Sequence, residues 1–285
     1  VYYWNNLTDV QKSNLVTELS PYKVSSLTPV IVDAETTFVI LNTTVQYDSS
    51  ATTYSATELA TRVTNVISSY NISDLQTFNA PFRHSKLLGL IDNTDSSILN
   101  NTTTVIMAKY IVPTLNTSTS YILNFNNAFY YPHEGHNKDS GGIISSTGFS
   151  MSSIDSTKEY FLDDDGSGNI RIYYLVSGTR VYYSLNAGTI DYTNGKITLD
   201  AIMISAVSNV DGAVSAQIRV TVIPNSYDII PVRNQILELD TLNSTVVAGV
   251  DATASTGIGY TTTTTGGITT TTVTSTSSTS SPSAY

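Results

Sequence analysis

The sequence predicts an α+β protein: an α/β strand-helix-helix-strand unit, then a mostly antiparallel β domain, then an extended C-terminal tail. Three observations predict it. Val39, Leu41, Thr43, Val45 and Tyr47 alternate with Ile40, Asn42, Thr44 and Gln46, the two-residue period of a half-buried strand. Leu59, Val63, Val66, Ile67 and Tyr70 follow at three- and four-residue steps, which form one stripe on a helix. From Leu115 onward that spacing vanishes, and short alternating segments are punctuated by glycine and asparagine.

Taken in order, Thr8 and Gln11 have capping-box spacing, and Val10, Leu15 and Leu19 predict an amphipathic helix that Pro21 ends. Residues 1–26 read as a helical lead-in and 27–113 as the α/β unit. In that unit Ser55 and Glu58 repeat the capping box before the helix. Asn79-Ala80-Pro81 divides the helical region, because proline disfavours helix in the residue before it. A second helical piece spans Ser85 to Ile91, and Thr103 to Val112 returns as a strand.

Residues 114–224 read as antiparallel β. Tyr160-Phe161-Leu162 and Ile170 to Tyr174 flank an acidic turn, and Asn194-Gly195 predicts a type I′ hairpin turn. Ala216, Ile218, Val220 and Val222 make one further half-buried strand, closed by Pro224. Residues 225–260 are a packing or interface segment. Its Ile229, Ile230, Val232, Ile236, Leu237 and Leu239 are too apolar for a free linker, while Pro231 argues against a central strand there. Thr261 to Tyr285 is Thr/Ser/Gly repeat that cannot offset chain entropy by burial. An extended tail is expected unless a neighbouring subunit supplies strands for it.

Composition removes several function classes. The 285 residues carry a formal charge of -10, which argues against a nucleic-acid partner because phosphate binding needs a basic face. No apolar run approaches the roughly 18 residues of a membrane span, so no membrane partner is expected. Zero cysteines leaves no disulfide, thiolate metal site or cysteine nucleophile. Val1-Tyr2-Tyr3-Trp4 is neither a basic leader nor an initiator methionine, and the chain is expected to begin inside a longer protein.

The motifs with chemical content are weak. Asp163-x-Asp165-x-Ser167-Gly168 matches the first six positions of a calcium loop, but the twelfth is Tyr174 and no helices flank it. An acidic hairpin turn is the weightier reading. His133-Glu134-Gly135-His136 falls one residue short of a zinc-protease spacing and has no third ligand in view. His84 beside Arg83 reads as a local hydrogen-bonding residue. Gly188 to Lys196 lacks the P-loop glycine and hydroxyl, and Gly148 to Ser152 lacks the second glycine of a nucleophile elbow. No catalytic residue, metal site or cofactor is assigned. Among the 19 tyrosines, Tyr160, Tyr173, Tyr174, Tyr182 and Tyr183 could floor a sugar site, but tyrosine is equally suited to strands and interfaces.

Three stretches carry a resemblance: Ser20 to Ser50, Leu123 to Phe129 (LNFNNAF), and above all Val222 to Asp240 (VIPNSYDIIPVRNQILELD). Together they are similar to the gene-product-six wedge protein of T-even-type contractile-tailed phages, itself related to the baseplate J group. The similarity runs from about the N-terminus to Asp240 and fits only that family's C-terminal half, making residues 1–26 a lead-in from a missing helical part. The resemblance implies a non-enzymatic subunit of the virion tail baseplate, assembled in the host cytoplasm. Its implied partners are copies of itself, other baseplate wedge proteins, and tail hub or sheath-initiating proteins. It also implies a ring of linked wedges around the hub that rearranges on contraction. The expected protein-interface residues are Tyr227, Asp228, Ile229, Ile230, Pro231, Val232, Arg233, Asn234 and Gln235, docking against a partner subunit or another domain of the chain. A receptor- or glycan-binding β-module is the alternative, which would explain the tyrosines but not the α/β unit.

Overall fold

The computed structural model describes residues 8–24, 31, 35–210, 215–232, 234–251, 259–265 and 268–274. Arg233 and residues 275–285 of the Thr/Ser-rich stretch lie outside them. In chain order the elements begin with α1 (Asp9–Leu19), β1 (Glu35–Tyr47), α2 (Ala56–Tyr70), α3 (His84–Asp92), β2 (Ile98–Ile111) and β3 (Ser118–Asn124). There follow β4 (Ile144–Ser146), β5 (Phe149–Met151), β6 (Asp155–Asp164), β7 (Asn169–Val176), β8 (Thr179–Asp191) and β9 (Lys196–Met203). The chain continues through β10 (Ala206–Val207), β11 (Ile218–Val222), β12 (Gln235–Leu239), β13 (Thr245–Val250), β14 (Gly259–Thr265) and β15 (Ile268–Thr274). They divide between two units, each drawn from three separate stretches of chain, and β1 and β2 contribute residues to both.

The first unit takes residues 1–40, 71–83 and 105–240. Glu35 to Val39 of β1 pair in parallel with Gln235 to Leu239 of β12. The end of β2 pairs antiparallel with β11, and β11 with β4. Ile218, Val220 and Val222 are buried on one face of β11, as their alternation predicts. A π-helical turn spans Asn71–Leu75, where Asn71 Oδ1 accepts the Leu239 amide at 2.8 Å. Buried Lys109 donates to Glu35 at 2.7 Å; desolvation pulls its pKa down and the carboxylate opposes the shift.

A seven-stranded antiparallel sheet in the order β10-β5-β6-β7-β8-β9-β3 also belongs to this unit. Both predicted hairpins are present, with Tyr160 opposite Tyr174 in one and Asp191 opposite Lys196 in the other. The second turn differs from the expected type I′. Four residues join Asp191 to Lys196, and only Gly195 of the Asn194-Gly195 pair has positive φ, at 64°. Asp191 explains the difference: its carboxylate accepts from the Thr193 and Asn194 amides and the Asn194 side chain, holding Asn194 out of the left-handed region. The two-residue turn with positive φ at both positions is Ser177-Gly178, between the paired Val176 and Thr179.

The second unit takes residues 41–70, 84–104 and 241–285. Asn42 to Tyr47 of β1 pair in parallel with Thr245 to Val250 of β13. Leu41, Thr43, Val45 and Tyr47 are buried as the period-two pattern requires, and Thr43 meets Thr103 hydroxyl to hydroxyl at 3.1 Å. Helix α2 buries Leu59, Val63, Ile67 and Tyr70, and both halves of its predicted capping box form: Glu58 accepts the Ser55 amide at 2.8 Å and Ser55 Oγ the Glu58 amide at 3.3 Å. His84 makes a hydrogen bond that is not local: its ring nitrogen meets the Thr103 carbonyl of β2 at 2.9 Å.

Two expectations change. Helix α1 and its cap are present, but Val10, Leu15 and Leu19 are exposed, so among the described residues no element covers the stripe that looked amphipathic. The Thr-rich stretch, expected as an extended tail, is in part a hairpin in which β14 pairs with β15, Tyr260 opposite Val273. Backbone ladder bonds need no large side chain, so a composition too polar for a core can still pair with itself.

Candidate functional site

The segment from Tyr227 to Gln235 is stitched into the first unit. Ile229 is fully buried and exchanges backbone hydrogen bonds with Phe82, 2.9 Å from the Phe82 amide and 3.1 Å from its own. Asp228 pairs with Arg83 at 2.8 Å. Asn127 clamps Ile230 on both sides, accepting its amide at 3.0 Å and donating to its carbonyl at 3.1 Å. Gln235 is buried: its Oε1 accepts the Val232 amide, and its Nε2 donates to Thr37 Oγ1 at 2.6 Å and the Phe125 carbonyl at 3.1 Å. Asn234, at φ 69°, presents its carbonyl to the Glu35 amide.

The side chains divide by face. Pro231 is buried, whereas Tyr227, Ile230 and Val232 are respectively 42%, 55% and 42% exposed. Gln235 and Ile229 serve this chain's own packing, and the apolar surface open to another protein is Tyr227, Ile230 and Val232. Hydrogen bonds fix the backbone at Ile230, through Asn127, and at Val232, through Gln235.

The acidic turn distributes its carboxylates among protein donors. Asp163 accepts from Arg171 Nε at 2.8 Å and Tyr182 Oη at 3.1 Å. Its pKa is pushed up by burial, with Arg171 pulling the other way. Asp164 accepts the Ile143 and Ile144 amides and the Tyr192 hydroxyl. Burial, and then the Asp164 charge, push the Tyr192 hydroxyl well above its ordinary pKa. Asp165 takes the Ser167 and Asn169 amides and the Asn169 side chain. The alternation of β6 thus sends neighbouring aspartates to different donors.

In the histidine loop, His133 Nε2 and His136 Nδ1 lie 3.4 Å apart, and no group of three possible metal-ligating side chains occurs among the described residues. The five strand tyrosines do not form an open row. Tyr160 is buried against Tyr174 and Tyr183; Tyr173, Tyr174 and Tyr182 have Arg180, Lys158 and Arg171 over their rings. Sequence reasoning passed over those cations. Asp163 and Arg171 stand eight residues apart across a hairpin, and the hairpin's register, not its composition, brings them together.

Residues 35–110, from the start of β1 almost to the end of β2, match the family described as Baseplate structural protein gp6, C-terminal domain III. The strand-helix-helix-strand unit is thus similar to a domain of the baseplate structural proteins. The chain that carries it is similar to Baseplate wedge protein gp6 of Enterobacteria phage T4, with 28% identity over 105 residues. That stretch covers 37% of this chain and 16% of the phage T4 protein.

Proposed function

We propose that the chain is a structural, non-catalytic subunit of a contractile-tail baseplate wedge, located in the virion tail. In this reading it associates with copies of itself and with other wedge proteins, links wedges into a ring around the hub, and shifts its contacts on contraction. The carrying observation is the gp6-type domain over residues 35–110. The exposure of Tyr227, Ile230 and Val232 supports an assembly role, since exposed apolar side chains are what a protein partner desolvates.

The test is native mass spectrometry of the full chain with size-exclusion light scattering. The expected result is a concentration-dependent oligomer, reduced at least tenfold in association constant by the double substitution Ile230→Asp with Val232→Asp, a loss of about 1.4 kcal/mol or more. The melting temperature should change little. A chain that stays monomeric at every concentration, or a variant that associates as well as the parent, overturns the self-association reading.

A further inference from the structure

Strands β7 and β8 carry one wall of an open cavity of about 610 Å³, whose lining includes Lys138, Asp139, Arg171, Tyr173, Arg180 and Tyr182. Arg171 is engaged through Nε, by Asp163, and through Nη2, by the carbonyls of Lys138 and Asp164 at 2.9 and 2.8 Å. Arg180 is not held in this way. Its Nε lies 3.8 Å from Asp163 Oδ2, an ion pair without a hydrogen bond, and its guanidinium rests 4.9 Å from the Tyr173 ring centre. Among the described residues neither terminal nitrogen of Arg180 has a hydrogen-bond partner, and neither does Lys138 Nζ. A side chain on Gly141 would come within 2.4 Å of Arg180 Nη1, so the guanidinium is seated against bare backbone.

The geometry points to a carboxylate-binding site in which Arg180 forms the fork, Lys138 adds a second charge, and an acidic, partly apolar segment of a protein partner is the occupant. A guanidinium with two free terminal nitrogens matches a carboxylate's two oxygens. Charge complementarity names the partner's chemistry. In a chain of formal charge -10 with only 13 lysines and arginines, three of them meet here against Asp139 and Asp163. Acidic chains are repelled by most of the molecule and attracted to this point. Exposed Leu175 lines the same cavity and gives an apolar neighbour of the acidic residue something to cover. A sugar is disfavoured because guanidinium groups already lie over Tyr173 and Tyr182, and Tyr173 also stacks on Phe161. The site lies outside residues 35–110 and does not depend on the assembly reading.

The test uses the full, ¹⁵N-labelled chain and two acetylated, amidated peptides, Leu-Glu-Leu and Leu-Gln-Leu, followed at the backbone amide signal of Gly178, which lines the cavity and is kept in every variant. Leu-Glu-Leu should shift it saturably and bind roughly tenfold more tightly than Leu-Gln-Leu, the weight of one charge-assisted contact. Arg180→Gln and Lys138→Gln should each weaken binding with unchanged circular dichroism, Arg180→Lys should weaken it less than Arg180→Gln, and Asp139→Asn should tighten it. No saturable shift, equal binding of the two peptides, or tighter binding of tetragalacturonate than of Leu-Glu-Leu overturns the inference, the last by reassigning the site to acidic glycans.

Discussion

At the scale of single residues, Ile229 and Ile230 show how much one step along an extended chain decides. Ile229 is fully buried and Ile230 is 55% exposed. Ile229→Asp should therefore cost about 3 kcal/mol or more, through a charge placed in the core, whereas Ile230→Asp should stay within about 0.5 kcal/mol. Urea unfolding of each variant measures the contrast. Composition marked both as needing a packing partner; which one turns inward depends on the bridge to Phe82, nearly 150 positions away. Asp163 supports a second prediction. Its carboxyl titrates above its ordinary range because burial outweighs Arg171. A raised carboxyl pKa means the folded state binds the proton more readily, so this group favours folding as pH falls through the folded pKa and opposes it as pH rises. Arg171→Met should cost about 3 kcal/mol at neutral pH by leaving a buried charge to the Tyr182 hydroxyl and the more distant Arg180. Part of that loss should return on acidification toward the folded pKa, which denaturation at a series of pH values checks.

At the scale of elements, local patterns were read well where the determinants lie within a few residues. Both capping boxes, the inward face of β1, the stripe of α2 and the break before Pro81 follow from spacing alone. Turn type failed where a side chain overrode a dipeptide preference: Asp191 organises the loop before Gly195, and the type I′ pattern falls at Ser177-Gly178. Gly195 remains essential for a different reason. A side chain there would lie 2.0 Å from the Asn127 carbonyl oxygen, so Gly195→Ala should destabilise the protein by about 1–3 kcal/mol, read as a lowered melting temperature. The parallel partners of β1 were illegible, since nothing in residues 35–47 specifies strands some 200 positions later. The same distance hid the role of Gln235, whose bonds to Thr37 and Phe125 exist only once those partners are aligned. The carboxylate fork was hidden likewise, because Lys138 and Arg180 become neighbours only through the sheet.

At the scale of the whole molecule, neither unit is a continuous length of chain, and that governs what truncation does. A chain ending at Asp240 keeps β12 but lacks β13, leaving Asn42 to Tyr47 without their parallel partner. Hydrogen exchange should then quicken at residues 42–47 and 56–70 while amides of β6 to β9 stay protected; uniform protection would count against this division of the fold. The strand β1 is translated some 200 residues before its last ladder partner, Thr245 to Val250. A nascent chain consequently carries an open strand edge until some 200 further residues have left the ribosome. Completion of the edge, and with it any safe encounter with other copies on the same polysome, is timed by the emergence of β13.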